Sequence, residues 1–267
     1  MRTLTRAVGS KDIGGEPIPS VFRTFELNKV IIRRSEVSMI AGTPGAGKST
    51  LSLAIALRAK VPTLYISADT NAHTMAMRLL SMITNLSQTD AERMLVDDIE
   101  ETRKLINENS GHIFWSFDSA PSLADLDQEV AAFEELWGCS PTLIVVDNLM
   151  DISNDGAEEF AGMRSTMKEL KYLARDTNAA ILVLHHTKES YVGNPCQPRS
   201  ALQGMVAQLP ALICTVGSNA PGYIAVAPVK NRYGKADATG DTVFWLQFNP
   251  EIMDVSDIKE NHERTNP

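Results

Sequence analysis

Apolar residues along the chain fall into short dense runs, and between these runs they recur every three or four positions. The dense runs predict strands at Glu36–Ala41, Pro62–Ser67, His112–Phe117, Thr142–Asp147, Ala179–Leu184, Ala211–Val216, Tyr223–Val229 and Thr242–Phe248. The first five are β-branched or aromatic and lack a polar alternation, the pattern of strands covered on both faces. The periodic stretches predict helices at Lys48–Ala59, Ala72–Met82, Leu123–Trp137 and Glu158–Arg175. Alternating β and α elements imply a mostly parallel twisted sheet flanked by helices. The last three strands follow one another closely, with turns at Asn219–Gly222 and Gly234–Gly240, and predict an antiparallel extension at the C-terminal end.

Polar, helix-prone residues at Asn85–Ser110 predict a small helical insertion between the second and third strands. The predicted organisation is a flexible N-terminal arm over residues 1–20, an α/β core over 21–254 and a charged C-terminal tail over 255–267. With 267 residues, 43% of them hydrophobic and 22% charged, one enlarged α/β domain is the expected arrangement. No apolar run approaches the ~20 residues needed to span a bilayer, and the two arginines of the arm precede no apolar stretch. A cytoplasmic protein, in a host cell if phage-encoded, is therefore expected, with no membrane partner. Three scattered cysteines form neither a disulfide framework nor a zinc pattern. A net charge of −8 argues against a protein that coats nucleic acid, but leaves room for contacts concentrated in a few loops.

Gly42-Thr43-Pro44-Gly45-Ala46-Gly47-Lys48-Ser49 is a full G-x-x-x-x-G-K-[ST] match, which average residue usage would give by chance in about 1% of chains this long. A predicted strand precedes it and an amphipathic helix follows. Glycines let successive N–H groups turn inward around phosphates at a helix N-terminus. Lys48 is expected to reach the β- and γ-phosphates of ATP and Ser49 to ligate Mg²⁺, with Thr50 counted in the same cradle. Leu143-Ile144-Val145-Val146-Asp147 places an acid at the carboxyl end of a strand, where open α/β sheets bind ligands. Asp147 is the expected second metal-orienting residue; a turn or helix cap is its plainer role.

Several stretches, in order, resemble the RecA-fold ATPase domain of DnaB-type replicative helicases. Leu64-Tyr65-Ile66-Ser67-Ala68-Asp69-Thr70, followed by Met77-Arg78, resembles that family's second strand and succeeding helix. There a Ser-x-Glu motif supplies the base that orients the attacking water, and here Asp69 stands in its place, one methylene shorter. Asp69 could instead cap the following helix, in competition with Asn71. Ile181-Leu182-Val183-Leu184-His185-His186-Thr187-Lys188 resembles the strand that ends in a γ-phosphate sensor, so His185 or His186 is implied in that role, with His186 preferred. Structural histidines or a metal site are the alternatives, although adjacent strand residues point to opposite faces. Val229-Lys230-Asn231-Arg232-Tyr233-Gly234 resembles the Lys-x-Arg-x-Gly segment, which implies that Arg232, helped by Lys230, is a finger inserted into a neighbouring subunit's ATP site. Val243–Pro250 resembles the closing strand, and the resemblance spans roughly Phe22 to Asp254. Family members also carry an N-terminal helical domain that binds primase, which the arm is too short to replace. A stand-alone core of phage or plasmid systems is expected.

The resemblance implies an ATP-dependent helicase or translocase that assembles as a hexameric ring with ATP at subunit interfaces and acts on single-stranded or forked DNA. DNA would be gripped by the loops at Leu149–Glu159 and Lys188–Gln203. The first is acidic, with Asp151, Asn154, Asp155, Gly156, Glu158 and Glu159; the second holds Lys188, Tyr191 and Arg199 and suits single strands by charge and stacking. Lys188 and Arg199 are the predicted DNA contacts. Two other readings stay open: a RecA-like recombinase or loader, and a metal-dependent nuclease built on Asp147, Asp151, Asp155, His185 and His186.

Overall fold

The computed structural model describes residues 15–153, 159–188 and 193–259. Among the described residues nine strands form one sheet: β1 (Val37–Gly42), β2 (Thr63–Ser67), β3 (Ile113–Ser116), β4 (Leu143–Asp147), β5 (Ala180–His186), β6 (Leu212–Gly217), β7 (Tyr223–Asn231), β8 (Phe244–Asn249) and β9 (Asp254–Ser256). Their spatial order is β3-β2-β4-β5-β1-β6-β7-β8-β9. The pairings from β3 through β6 are parallel, and β7, β8 and β9 continue the sheet antiparallel. Thus β6 pairs parallel with β1 on one side and antiparallel with β7 on the other, so the antiparallel extension begins at the β6–β7 pair.

Among the described residues these α-helices accompany the sheet: α1 (Arg23–Leu27), α2 (Lys48–Ala59), α3 (Ala72–Thr84), α4 (Gln88–Asp97), α5 (Ile99–Ser110), α6 (Leu123–Trp137) and α7 (Glu159–Asp176). The central strands bury alternate residues on opposite faces. Leu143 and Val145 pack with α2 and α3, whereas Ile144 and Val146 pack with α6 and α7. This explains their unbroken apolar sequence, since both sides of each strand are covered. The insertion is the pair α4–α5. Its start is fixed by Gln88, whose backbone N–H donates to the Glu251 carbonyl (2.9 Å) and whose side chain donates to the Pro250 carbonyl (2.9 Å).

Ordered contacts extend into both predicted terminal segments. Ile18 donates its backbone N–H to the Ile32 carbonyl at 3.0 Å and buries its side chain beside Phe22 and Phe25. At the other end β9 carries Val255 into the core, and Arg58 bonds the Val255 carbonyl and the Asp254 carboxylate. Both segments contribute single apolar residues inside polar surroundings, a signal too short for periodicity to register. Among the described residues no helix is long and apolar enough to cross a membrane.

Candidate nucleotide-binding site

The carboxyl ends of β1, β2, β4 and β5 converge on one cleft, bounded by the loop between β1 and α2. Gly42 lies so close to β6 that an added Cβ would sit 2.5 Å from the Val216 carbonyl oxygen. Gly47 takes φ +85° as the N-terminal cap of α2, and a Cβ there would meet Ile224 at 2.9 Å. The loop therefore exposes backbone rather than side chains to the cleft. Lys48 is 7% exposed, and its ammonium donates to the carbonyls of Gly42 (3.1 Å) and Thr43 (3.0 Å). Burial lowers its pKa, opposed by the nearby carboxylates of Asp147 and Asp69. Pro44, Gly45, Ala46, Ser49 and Thr50 line the same cleft.

Asp147 ends β4 and is 3% exposed. Burial pushes its carboxyl up to about 6, with a hydrogen bond from Ser49 and the charge of Lys48 pulling the other way and Asp69 adding to the rise. The Tyr65 hydroxyl, itself bonded to Ser52 Oγ at 2.9 Å, reaches Asp147 Oδ2 at 3.4 Å. A buried carboxyl braced this way and bonded to the loop serine is a hard oxygen pair suited to Mg²⁺, which takes few protein ligands and completes its shell from phosphates and water. The glycine cradle fits a polyphosphate tail. The residues present therefore fit both ATP and magnesium.

Asp69 is exposed, follows β2, and lines the cleft close enough to Lys48, Asp147 and His186 to bear on the charge of each. The cap of α3 is Asn71, whose side chain accepts from the Thr74 N–H at 2.9 Å. Asp69 is thus free of the capping role that competed for it. Arg78 also lines the cleft from α3, with a hydrogen bond to Thr70 Oγ1 at 3.3 Å. Gln88, Phe248, Pro250 and Met253 close another side. Arg78, Phe248 and Pro250 fall in stretches that carry the family resemblance, whereas Gln88, Met253 and Asn148 carry no motif of their own and are brought in by tertiary proximity.

The two adjacent histidines separate as strand alternation requires. His186 lines the cleft, its Nε2 lying 3.5 Å from Asn148 Nδ2. Burial and the neighbouring Lys48 lower its pKa, opposed by Asp69 and Asp151. His185 turns to the other face, fully buried, with Nε2 donating to the Gln203 carbonyl at 3.0 Å. The nuclease constellation is accordingly divided, and Asp155 lies outside the described residues. Among the described residues no three His, Cys, Asp or Glu side chains are placed to hold a metal ion.

Lys230 and Arg232 sit at the end of β7, at the opposite edge of the sheet. Asn231 pairs with Leu212 at the start of β6, and the Arg232 N–H donates to the Ala211 carbonyl at 2.9 Å. The Arg232 guanidinium pairs with Glu36, which precedes β1, at 3.2 Å, and Glu36 also accepts from the Tyr233 hydroxyl at 2.5 Å. Arg33 stacks over the Tyr233 ring 4.5 Å from its centroid. The length of β1 separates this cluster from the phosphate loop, about 20 Å at ~3.3 Å per residue. Lys230 donates instead to the carbonyls of Ala207 (2.9 Å) and Gln208 (2.8 Å). Lys188 is exposed just beyond β5, and Arg199 is exposed in a 3₁₀ turn at Arg199–Ala201. Tyr191, Asn154, Gly156 and Glu158 lie outside the described residues; Glu159 opens α7.

Residues 24–190 match the AAA domain family. The "Gene 65 protein" of Mycobacterium phage L5 is 31% identical over 266 residues, covering 97% of this chain and 99% of that protein. Among solved structures, an ATPase domain matches with a TM-score of 0.79 at 16% identity, covering 96% of each chain. A DnaB-like replicative helicase, solved with its interactions with primase, also matches with a TM-score of 0.79, at 15% identity over 96% of this chain and 67% of that one. The chain belongs to the AAA-domain family of P-loop ATPases, built on the RecA-like core that DnaB-type ATPase domains share.

Proposed function

We propose that this protein is an ATP-dependent motor of the DnaB-like class, a translocase or helicase that moves on single-stranded or forked DNA as a hexameric ring. The observation that carries the reading is the position of Arg232. It sits at the sheet edge away from its own phosphate loop, across a gap wider than any side chain spans. An exposed arginine so placed is available to the cleft of a second copy. The likeness to a solved DnaB-like replicative helicase supports DNA as the partner.

Under this reading Gly42 to Thr50 cradle the phosphates of ATP, with Lys48 leaving its two carbonyl partners for the β- and γ-oxygens. Ser49 and Asp147 would hold Mg²⁺, which supplies charge neutralisation on the polyphosphate when bound. Asp69 aligns and accepts a proton from the attacking water, and His186 donates toward the γ-phosphate. The neighbour's Arg232 adds positive charge where it develops in transfer. Lys230 supports it through the backbone it holds. Lys188 and Arg199 meet DNA phosphates.

Mixing Lys48→Ala protomers with Arg232→Ala protomers tests the central point. Each is inactive alone, and mixed assemblies regain part of the turnover because some interfaces combine an intact cradle with an intact finger. Absence of recovery at every ratio would rule out a finger in trans. ATPase rate with and without single-stranded DNA, alongside native mass, tests partner and ring together; stimulation in filaments without unwinding would favour the recombinase reading.

A further inference from the structure

One wall of the nucleotide cleft differs in chemistry from the rest. The phosphate loop, Lys48, Asp69 and Asp147 line it with backbone and charge, whereas Phe248, Pro250 and Met253 line it with apolar surface, and Gln88 stands beside them. Phe248 lies near the end of β8, and Pro250 and Met253 belong to the turn between β8 and β9. This wall adjoins the phosphate loop directly, since a Cβ on Gly47 would sit 4.0 Å from Phe248 Cζ.

The turn is held from several sides. Asn249 Oδ1 accepts from the Glu251 N–H at 3.1 Å. Arg58 of α2, the helix that begins in the phosphate loop, bonds the Val255 carbonyl and the Asp254 carboxylate just beyond. Met253 takes a φ of 53° and is buried, and a methionine in this left-handed conformation persists only where its surroundings enforce it. The apolar wall is therefore a fixed surface at a fixed distance from the phosphate loop. Gln88 braces it with its backbone N–H on the Glu251 carbonyl and its side-chain Nε2 on the Pro250 carbonyl, both at 2.9 Å. The second bond also fixes the amide. Turning it over would set Oε1 against the Pro250 carbonyl, two acceptors face to face, so Oε1 is the atom left for a ligand.

We propose that Gln88 selects adenine, its Oε1 accepting a hydrogen bond from the 6-amino group of a purine that lies against Phe248, Pro250 and Met253. The proposal rests on the reading of this cleft as the ATP site and names the residue that tells one base from another. A purine is a flat apolar ring with a polar edge, and ligand sites pair apolar surface with a few polar groups that fix orientation. Adenine carries a donor at C6. Guanine and hypoxanthine carry a carbonyl there, which would leave two acceptors in contact. One acceptor reads one position, so the 2-amino group that distinguishes guanine from hypoxanthine makes no difference.

Calorimetry of the full chain with ADP, GDP and inosine diphosphate in the presence of Mg²⁺ tests this with the phosphate tail held constant. ADP is expected to bind about tenfold or more tighter than either of the others, which bind alike. Gln88→Ala brings ADP down to their level. Gln88→Lys, which keeps a donor for the Pro250 carbonyl and has no acceptor, does the same with the turn still held. Phe248→Ala weakens all three equally, because a ring face reads no edge. Equal affinity of the unmodified chain for ADP and inosine diphosphate overturns the assignment. So does a Gln88→Ala protein in which all three weaken together and the preference survives, since Gln88 would then only hold the turn. Failure of the unmodified chain to bind any of the three would instead remove the ATP-site reading beneath it.

Discussion

The two edges of the sheet are opposites in everything but importance. At the carboxyl edge Lys48 and Asp147 are almost completely buried, bonded on several sides, and shifted in pKa by burial. At the other edge Arg232 keeps half of its side-chain surface in solvent and pairs with a partly buried Glu36. A buried group is expensive to rearrange, whereas an exposed ion pair is worth about 1 kcal/mol or less and is readily exchanged. The cleft is thus preorganised for binding, and under the proposed reading the far edge is held loosely enough to trade Glu36 for a phosphate at an interface. Binding and acceleration would then be separated by a strand's length.

The sharpest way to break this separation is Arg232→Ala. Turnover by the assembled protein is expected to fall about a thousandfold, with nucleotide affinity of isolated protomers, read by calorimetry, essentially retained. A matching loss of affinity would mean that the two edges are not independent. Next comes the burial of Asp147. Its folded pKa of about 6 lies above the ordinary 3.8, so the folded state holds this proton more tightly than the unfolded chain. That stabilisation is full below pH ~4 and is lost as pH rises through 6, which leaves a buried carboxylate costing at most about 3 kcal/mol at neutral pH. Without nucleotide and with chelator, Asp147→Asn should therefore be more stable than the parent at pH 7.5 and indistinguishable from it near pH 4, by urea denaturation. An equal gap at both pH values would show that burial is not the cause.

Two smaller effects divide chemistry from scaffold inside the cleft. Asp69→Asn is expected to lower turnover about a hundredfold, and Asp69→Glu to match or exceed the parent, since the longer acid reaches farther toward the water. Neither should move the thermal midpoint appreciably. Asn71→Ala should do the reverse, lowering stability by about 1 kcal/mol through loss of the α3 cap with turnover little affected. Destabilisation by Asp69→Asn would return the capping role to Asp69.

Much of this arrangement is legible from residue order. Lys48–Ala59 and Leu123–Trp137 are helices with the predicted bounds, because each has a sharp start and stop: the phosphate loop before Lys48, and Ser122 capping with Asp125 before a left-handed Gly138. The alternation of His185 and His186 follows from strand geometry alone. The strand β9 does not, since Asp254-Val255-Ser256 has one apolar residue and its pairing with β8 is non-local. The engagement of Lys230 by two carbonyls was equally hidden, because Lys-x-Arg spacing states which face is shared, and nothing about what waits there. Gln88 and Met253 reach the cleft by folding, with no pattern linking them.

The paired hydrogen bonds from Gln88 to residues 250 and 251 have a practical corollary. The α4–α5 pair cannot be treated as a detachable module, because its first residue grips the segment that walls the nucleotide cleft. Any chimera that exchanges this pair between relatives must transplant the grip and its receiver together, or the graft will be felt as a change in how tightly ATP is held.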